Sequence, residues 1–264
     1  MRGAAMAWPF RVRSSAHPPR SEPGEVAARY EPIVLDESLD PKLVVHHDPQ
    51  GRAAEQHRAF RTNLLATNPR REPRALLFTS AEGGAGKSVS IGNLALCLAE
   101  CSDLNVCIVD ADLRARGLSE LFGVTDSPGL SDVLLHGKEP HRVLRPTARP
   151  NLSLLAAGTP GDRLGAALAS SYLPELIAWL KRKHTYVLVD SAPVLLFSDA
   201  GELAKAVDGV LLAVAIDSTL RHEADEALLQ LRIAGANVLG TFVTGVESAG
   251  DYAYDLREYE DVEA

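Results

Sequence analysis

A glycine-rich segment that ends in lysine and serine is the part of this 264-residue sequence with the clearest chemical potential. Glycine adopts backbone angles that are closed to other residues, so successive N–H groups can converge on phosphate oxygens. A lysine at the end of such a loop reaches the β and γ phosphates, and a serine hydroxyl binds Mg²⁺. We therefore predict that ATP and Mg²⁺ bind at Gly83, Gly84, Ala85, Gly86, Lys87, Ser88 and Val89.

The neighbourhood of this segment supports a phosphate-binding role. An apolar run of strand length ends at Thr79 or Ser80, and a helical pattern begins at Ser88. The opening helix adds its positive N-terminal end to the loop. Ala81 is a departure, because the strict pattern has glycine there. A glycine-rich turn that merely joins a strand to a helix is the alternative.

Carboxylates follow two later apolar runs. Asp110 and Asp112 stand at the end of one run and Asp190 at the end of another. In parallel sheets these strand ends meet at one edge, where ligands bind. A hard cation that bridges phosphates needs oxygen ligands, so we predict Ser88, Asp110 and Asp190 as metal ligands.

Catalytic roles are predicted for Lys87, Asp110, Asp112 and Asp190, with Asp110 or Asp112 as a candidate base for an incoming nucleophile. Asp residues after strands also often cap turns or helices, which is the alternative for each of them. Arg114 is predicted to clamp phosphate, and an ordinary surface position is equally compatible with its sequence context.

The elements that must position these residues alternate along the chain. Apolar runs of strand length occur at 75–79, 106–110, 152–156, 186–190, 210–215 and 238–243. Amphipathic helical patterns occur at 53–67, 88–101, 172–183, 200–206 and 221–234. Strands that are apolar on both faces and alternate with helices predict an α/β fold, a doubly wound, mostly parallel sheet flanked by helices.

The composition changes at both ends of the chain. Residues 1–50 are rich in Arg, Pro, Ser and Glu and are predicted to be disordered or loosely attached. Residues 51–248 form the predicted domain, and 249–264 an acidic tail that carries Tyr252, Tyr254 and Tyr259. Aromatic residues on an acidic tail have no core to fill, so we predict that these tyrosines are modified.

Overall charge and hydropathy exclude several classes of function. The net charge of −8 argues against nucleic acid as the main partner. No run approaches the roughly 20 apolar residues that span a bilayer, and the N-terminus makes a poor signal peptide. The odd count of three cysteines, all in apolar stretches, favours a reducing compartment. We expect a cytoplasmic protein.

Several motifs together resemble the bacterial tyrosine kinases of capsule and exopolysaccharide synthesis, over about residues 55–247. They are the Gly83–Ser88 loop, Asp110-Ala-Asp112-Leu-Arg114, Pro128-Gly-Leu-Ser-Asp-Val-Leu134, Asp190-Ser-Ala-Pro193, Ser198-Asp-Ala200 and Val207-Asp-Gly-Val210. The resemblance implies a P-loop NTPase fold of the deviant Walker, MinD-like type. It also implies that Asp110 accepts the proton of a tyrosine hydroxyl.

The same resemblance carries expectations about assembly. Glu55, Arg58 and Arg61 match a helix motif through which relatives form a ring, each subunit offering its tail tyrosines to a neighbour. The implied partners are further copies of the chain, a separate transmembrane co-polymerase that activates the kinase and places it at the inner membrane, and a tyrosine phosphatase. A solvated helix face with an i,i+3 ion pair is the alternative for the three helix residues.

Two features depart from the family pattern, and two other functions are rivals to the kinase prediction. Three tail tyrosines are few for the family, and Thr244 stands where relatives often carry Asn near the adenine base. A partitioning-type P-loop ATPase is one rival, but it places lysine where this chain has Glu82. A nucleotide-binding regulatory subunit without catalysis is the other rival. We predict an ATP-dependent protein-tyrosine autokinase that regulates exopolysaccharide synthesis or export.

Overall fold

Seven strands form one sheet in the computed structural model, which describes residues 30–125, 128–159, 161 and 164–245. The strands are β1 (Arg74–Ser80), β2 (Val106–Asp110), β3 (Arg145–Pro146), β4 (Leu152–Leu155), β5 (Tyr186–Asp190), β6 (Gly209–Ala215) and β7 (Val238–Thr244). Their order is β3-β4-β2-β5-β1-β6-β7. Every pairing is parallel except that of β3 with β4.

Helices connect the strands and cover both faces of the sheet. They are α1 (Val44–His47), α2 (Arg52–Ala66), α3 (Lys87–Leu98), α4 (Gly117–Leu121), α5 (Leu130–His136), α6 (Pro140–Val143), α7 (Leu164–Leu168), α8 (Tyr172–Lys181), α9 (Asp199–Ala204) and α10 (Arg221–Ile233). Among the described residues no helix has the length and apolar character that crossing a membrane requires.

Strand β1 shows how the two cores are separated. Leu76 and Phe78 belong to the core that contains apolar residues of α2 and α3. Ala75 and Leu77 belong to the other core, with residues of α8, α9 and α10. This alternation is the period of two that a strand imposes on its side chains. The predicted doubly wound, mostly parallel sheet is confirmed.

The folded part of the chain begins earlier than predicted. We expected residues 1–50 to be disordered or loosely attached, but in the described part of that segment Leu43 and Val45 are buried in the core. Asn93 of α3 holds α1 in place, because its side chain accepts from Val45 N–H (2.9 Å) and donates to the Lys42 carbonyl (2.9 Å). Residues 1–29 and the predicted tail, 249–264, lie outside the described residues.

The sheet register places the predicted acids together. Asp110, the last residue of β2, pairs with Asp190, the last residue of β5. Phe78 of β1 is the neighbour of Asp190 on its other side, so the loop that follows β1 starts at the same edge. Parallel strands bring their carboxyl ends to one edge, where α/β sheets bind ligands.

We predict that Asn93→Ala destabilises the domain. It leaves the buried Val45 N–H without an acceptor, and an unsatisfied buried group costs about 1–3 kcal/mol. Urea denaturation should therefore give a free energy of unfolding lower by roughly 2 kcal/mol. Asn63→Ala, an exposed position on α2, is the matched control and should have little effect. Equal stability of the two variants would contradict the role given to Asn93.

Candidate active site

The phosphate loop joins β1 to α3, and two of its glycines have positive φ. Gly84 has φ 81° and Gly86 has φ 72°, a region that glycine occupies without strain. A Cβ built on Gly83 or Gly84 meets nothing within 4 Å, so this side of the loop is open. Gly86 directly precedes α3, whose first N–H groups point out of the helix end. The predicted residues from Gly83 to Val89 form this loop and the first helical turn.

Lys87 lies buried along the loop. Its Nζ donates to Ser80 Oγ at 3.1 Å, and Ser80 Oγ donates to the Glu82 carbonyl at 2.5 Å. The far side of the loop is tied to β7, because Thr244 Oγ1 donates to the Ala85 carbonyl at 2.8 Å. Thr244, expected near the nucleotide base, is thus a contact of the loop itself. Sequence reasoning overlooked Ser80, which carries no motif.

Asp110 and Asp190 are fully buried side by side. The Ser88 hydroxyl donates to Asp190 Oδ2. Asp110 Oδ2 accepts from the N–H and the hydroxyl of Ser119, at 2.8 and 2.7 Å. The Oδ1 atoms of both carboxylates are buried and have no hydrogen-bond partner among the described residues. The structure therefore brings together the three predicted metal ligands Ser88, Asp110 and Asp190.

This pair of acids is electrostatically unfavourable on its own. Burial raises the pKa of Asp190, as does the neighbouring Asp110, while Lys87 acts in the opposite direction. Burial likewise raises the pKa of Asp110, and the bonds from Ser119 oppose that rise. Two buried acids with unpaired oxygens would be stabilised by a positive charge between them.

A divalent cation fits this arrangement. Among the described residues no group of three or more His, Cys, Asp or Glu side chains could hold a metal ion by itself. The two carboxylates and Ser88 would therefore share the cation with phosphate oxygens and water, the ligand set that Mg²⁺ prefers. The residues present thus fit a nucleotide triphosphate with Mg²⁺, and the chemistry that they suit is phosphoryl transfer.

Ser119 is a positioning residue that the sequence analysis did not find. It lies in α4, is fully buried, and accepts the Ala157 N–H at 3.0 Å while its hydroxyl donates to Asp110. This chain of bonds fixes one oxygen of Asp110, while the other is buried without a partner among the described residues. Nothing in the spacing of Ser119 signals the role, since it depends on how α4 packs over β2.

The other two predicted residues of this region have partners of their own. Asp112 is buried and accepts the Ala115 N–H at 3.0 Å, as a turn-capping residue does. Arg114 Nε lies 3.4 Å from Asp199 Oδ2, and its guanidinium lies 4.3 Å from the centre of the Phe197 ring. The catalytic role of Asp112 and the phosphate clamp of Arg114 stay predictions.

The predicted assembly residues share α2 and are tied to α3. Arg58 pairs with Glu55 at 2.5 Å and with Glu100 at 2.8 Å, and Arg61 pairs with Glu100 at 2.7 Å. Arg61 also donates to the Cys97 carbonyl. Hydrogen bonds from Arg58 lower the pKa of Glu100. The side chains of Arg58 and Arg61 are 21% and 19% exposed and that of Glu55 64%, so Glu55 is the most accessible of the three. Glu100 was not predicted.

Comparisons with known proteins find relatives in sequence and in structure. No protein-family model matches the chain. It is 27% identical over 218 residues to the putative tyrosine-protein kinase CapB of Staphylococcus aureus, covering 82% of this chain and 95% of CapB. The kinase domain of the Escherichia coli tyrosine kinase Etk superposes with a TM-score of 0.74 at 28% identity, covering 80% of this chain and 83% of that domain. The chain is thus similar to bacterial tyrosine kinases in both sequence and fold.

Two further proteins show the same similarity. The tyrosine-protein kinase YwqD of Bacillus subtilis is 27% identical over 214 residues, which cover 80% of this chain and 90% of YwqD. The septum site-determining protein MinD of Pyrococcus horikoshii, in complex with Mg-ADP, superposes with a lower TM-score of 0.55 at 27% identity, over 64% of this chain and 69% of MinD. The predicted family resemblance and MinD-like fold are confirmed. The predicted tail tyrosines, Tyr252, Tyr254 and Tyr259, lie outside the described residues.

We predict that Asp190→Asn stabilises the protein in EDTA without nucleotide. The substitution removes one of two like charges whose burial raises their pKa values, and each pKa unit corresponds to on the order of 1 kcal/mol. Urea denaturation at neutral pH should show a higher free energy of unfolding than wild type.

Asp132→Asn is the matched control and should have the opposite effect. Asp132 is also buried, and burial alone would raise its pKa, but backbone bonds from Gly129 and Thr159 and the Lys138 ammonium lower it. Its charge is therefore stabilising. A loss of stability in both variants would contradict the charge repulsion assigned to the Asp110–Asp190 pair.

Proposed function

We propose that the chain is an ATP-dependent protein-tyrosine autokinase, that it phosphorylates Tyr252, Tyr254 and Tyr259, and that this cycle regulates exopolysaccharide or capsule synthesis or export. The observation that carries the proposal is the buried Asp110–Asp190 pair beside Ser88, at the edge where the phosphate loop begins. The similarity to bacterial tyrosine kinases supports tyrosine as the acceptor of the phosphoryl group.

The nucleotide phosphates would bind the loop N–H groups and the N-terminal end of α3. Lys87 would exchange its bond with Ser80 for the β and γ phosphates. Ser88, Asp110 and Asp190 would hold Mg²⁺, and that ion would supply positive charge to offset the charge of the phosphates. The closeness of Asp110, Asp190 and Ser88 supports a shared role in binding the nucleotide.

Phosphoryl transfer requires mainly that the protein align the tyrosine oxygen with the γ phosphorus. The tyrosine oxygen forms a bond to the γ phosphorus as the bond from that phosphorus to the β–γ bridging oxygen breaks. The hydroxyl proton passes to Asp110, whose Oδ1 is free because Ser119 occupies Oδ2.

Assembly completes the proposal. A neighbouring copy would supply the tail tyrosines, through a ring contact at Glu55, Arg58 and Arg61. A separate transmembrane co-polymerase would activate the kinase at the inner membrane, and a tyrosine phosphatase would reset it. Added phosphates would repel the carboxylates of the tail and release it from the site.

We expect a mixing experiment to show transfer between copies. One variant, Lys87→Ala, keeps the tail but loses the loop cation. The other variant carries Tyr252→Phe, Tyr254→Phe and Tyr259→Phe and keeps the site. With ATP, Mg²⁺ and cytoplasmic segments of a candidate activator, mass spectrometry should find phosphotyrosine on the Lys87→Ala tail only in the mixture.

The exposed Lys205→Ala is the control for Lys87→Ala and should autophosphorylate like wild type. Phosphotyrosine on Lys87→Ala alone would overturn the role of the loop. ATP hydrolysis by wild type without phosphotyrosine in any mixture would instead favour a partitioning-type ATPase.

We further predict that Arg58→Ala with Arg61→Ala lowers the mass of the assembled protein in light scattering. Glu100→Gln is the control, since it removes the negative charge that both arginines contact within the chain and leaves the arginines in place. It should keep the larger mass. An unchanged mass of the double variant, or an equal loss in Glu100→Gln, would show that the arginines only fasten α2 to α3.

A further inference from the structure

Arg116 stands in the turn between β2 and α4 with a backbone conformation that is rare for its residue type. Its φ is 56°, and among the described non-glycine residues Arg71 alone shares a positive value, at 52°. The left-handed region brings the Cβ of an L-residue too close to the following carbonyl. A strained residue beside a catalytic centre is a reason to ask what its side chain does.

The turn that contains Arg116 lies against the predicted metal ligands. Arg116 N–H donates to the Asp112 carbonyl at 2.8 Å. The next residue, Gly117, approaches the site so closely that a Cβ there would lie 2.6 Å from Ser88 Oγ. Ser119, two residues further on, fixes Asp110. Arg116 is therefore held between residues that shape the site.

The side chain of Arg116 is partly buried, and its Nε has no partner among the described residues. This atom is buried, and no ion pair of Arg116 occurs in the described part of the chain. The positive charge of Arg116 opposes the rise in the pKa of Asp110, and the positive charge of Lys87 opposes the rise in the pKa of Asp190. The two cations thus act on different members of the carboxylate pair. Arg71, by contrast, is half exposed and pairs with Asp103.

We propose that Arg116 binds the γ-phosphate of the nucleotide triphosphate, opposite Lys87. The inference rests on the proposed function, since it assumes that the nucleotide lies on the loop with its γ-phosphate beside Asp110. A planar guanidinium donates several N–H bonds in a fork that suits phosphate oxygens. It would also offset the repulsion between the γ-phosphate and the two buried carboxylates. The need for a cation beside the γ-phosphate explains why arginine occupies a position with positive φ, which glycine would adopt without strain.

The test compares two nucleotides by calorimetric titration with Mg²⁺. ADP lacks the γ-phosphate, and the imido analogue of ATP (AMP-PNP) retains it without being hydrolysed readily. For Arg116→Gly, which suits the positive φ, AMP-PNP affinity should fall about tenfold or more, as expected for a lost charge-assisted hydrogen bond. ADP affinity should stay within about threefold of wild type. Arg116→Lys should lose less, because it keeps the charge and not the fork.

Arg71→Gly is the matched control, a second arginine with positive φ that lies in the turn before β1. It should bind both nucleotides as wild type does. Equal AMP-PNP affinity for Arg116→Gly and wild type, or equal losses for ADP and AMP-PNP, would overturn the proposal. The tail assay separates this result from the kinase assignment: wild type that binds AMP-PNP through Arg116 but forms no phosphotyrosine would refute the kinase and leave the γ-phosphate contact standing.

Discussion

The structure depends on one constraint: two carboxylates lie side by side, fully buried, at one edge of the sheet. Asp110 and Asp190 share one register position on neighbouring parallel strands, and each has an oxygen without a partner. Buried like charges are unfavourable unless a cation or a proton compensates them. The neighbouring groups are therefore best understood by what they do to this pair: Ser119 and Ser88 orient it, and Lys87 and Arg116 offset its charge.

The parallel sheet explains why the pair and the phosphate loop meet. Strands β1, β5 and β2 are adjacent, so their carboxyl ends deliver the loop and the two acids to one edge. The loop then opens α3, whose N-terminal end attracts the same phosphates as the cation does. A fold of this kind brings the proposed cation, phosphate and acceptor sites together while the cores on both faces keep the strands in register.

Much of this arrangement follows from residue types and spacing. The strand ends at Asp110 and Asp190 can be predicted from the sequence because buried parallel strands are continuous apolar runs. The loop can be predicted because glycines followed by lysine in that order rarely serve another role. The roles of Ser119, Ser80 and Glu100 cannot be predicted from the sequence. Each acts through a contact with a residue distant in sequence or in a turn that has no sequence motif. The attachment of α1 was missed for the same reason: it depends on Asn93, while four-residue helices leave no periodic pattern.

The central claim is that the Asp110–Asp190 pair exists to hold a divalent cation against a nucleotide. Electron paramagnetic resonance with Mn²⁺ in place of Mg²⁺ tests it directly, because bound and free Mn²⁺ give different signals. In the presence of ADP, the account predicts one tightly bound Mn²⁺ for each wild-type chain and none for the variant with Asp110→Asn and Asp190→Asn. A wild-type chain that leaves Mn²⁺ free, or a double variant that binds it equally well, would contradict the account.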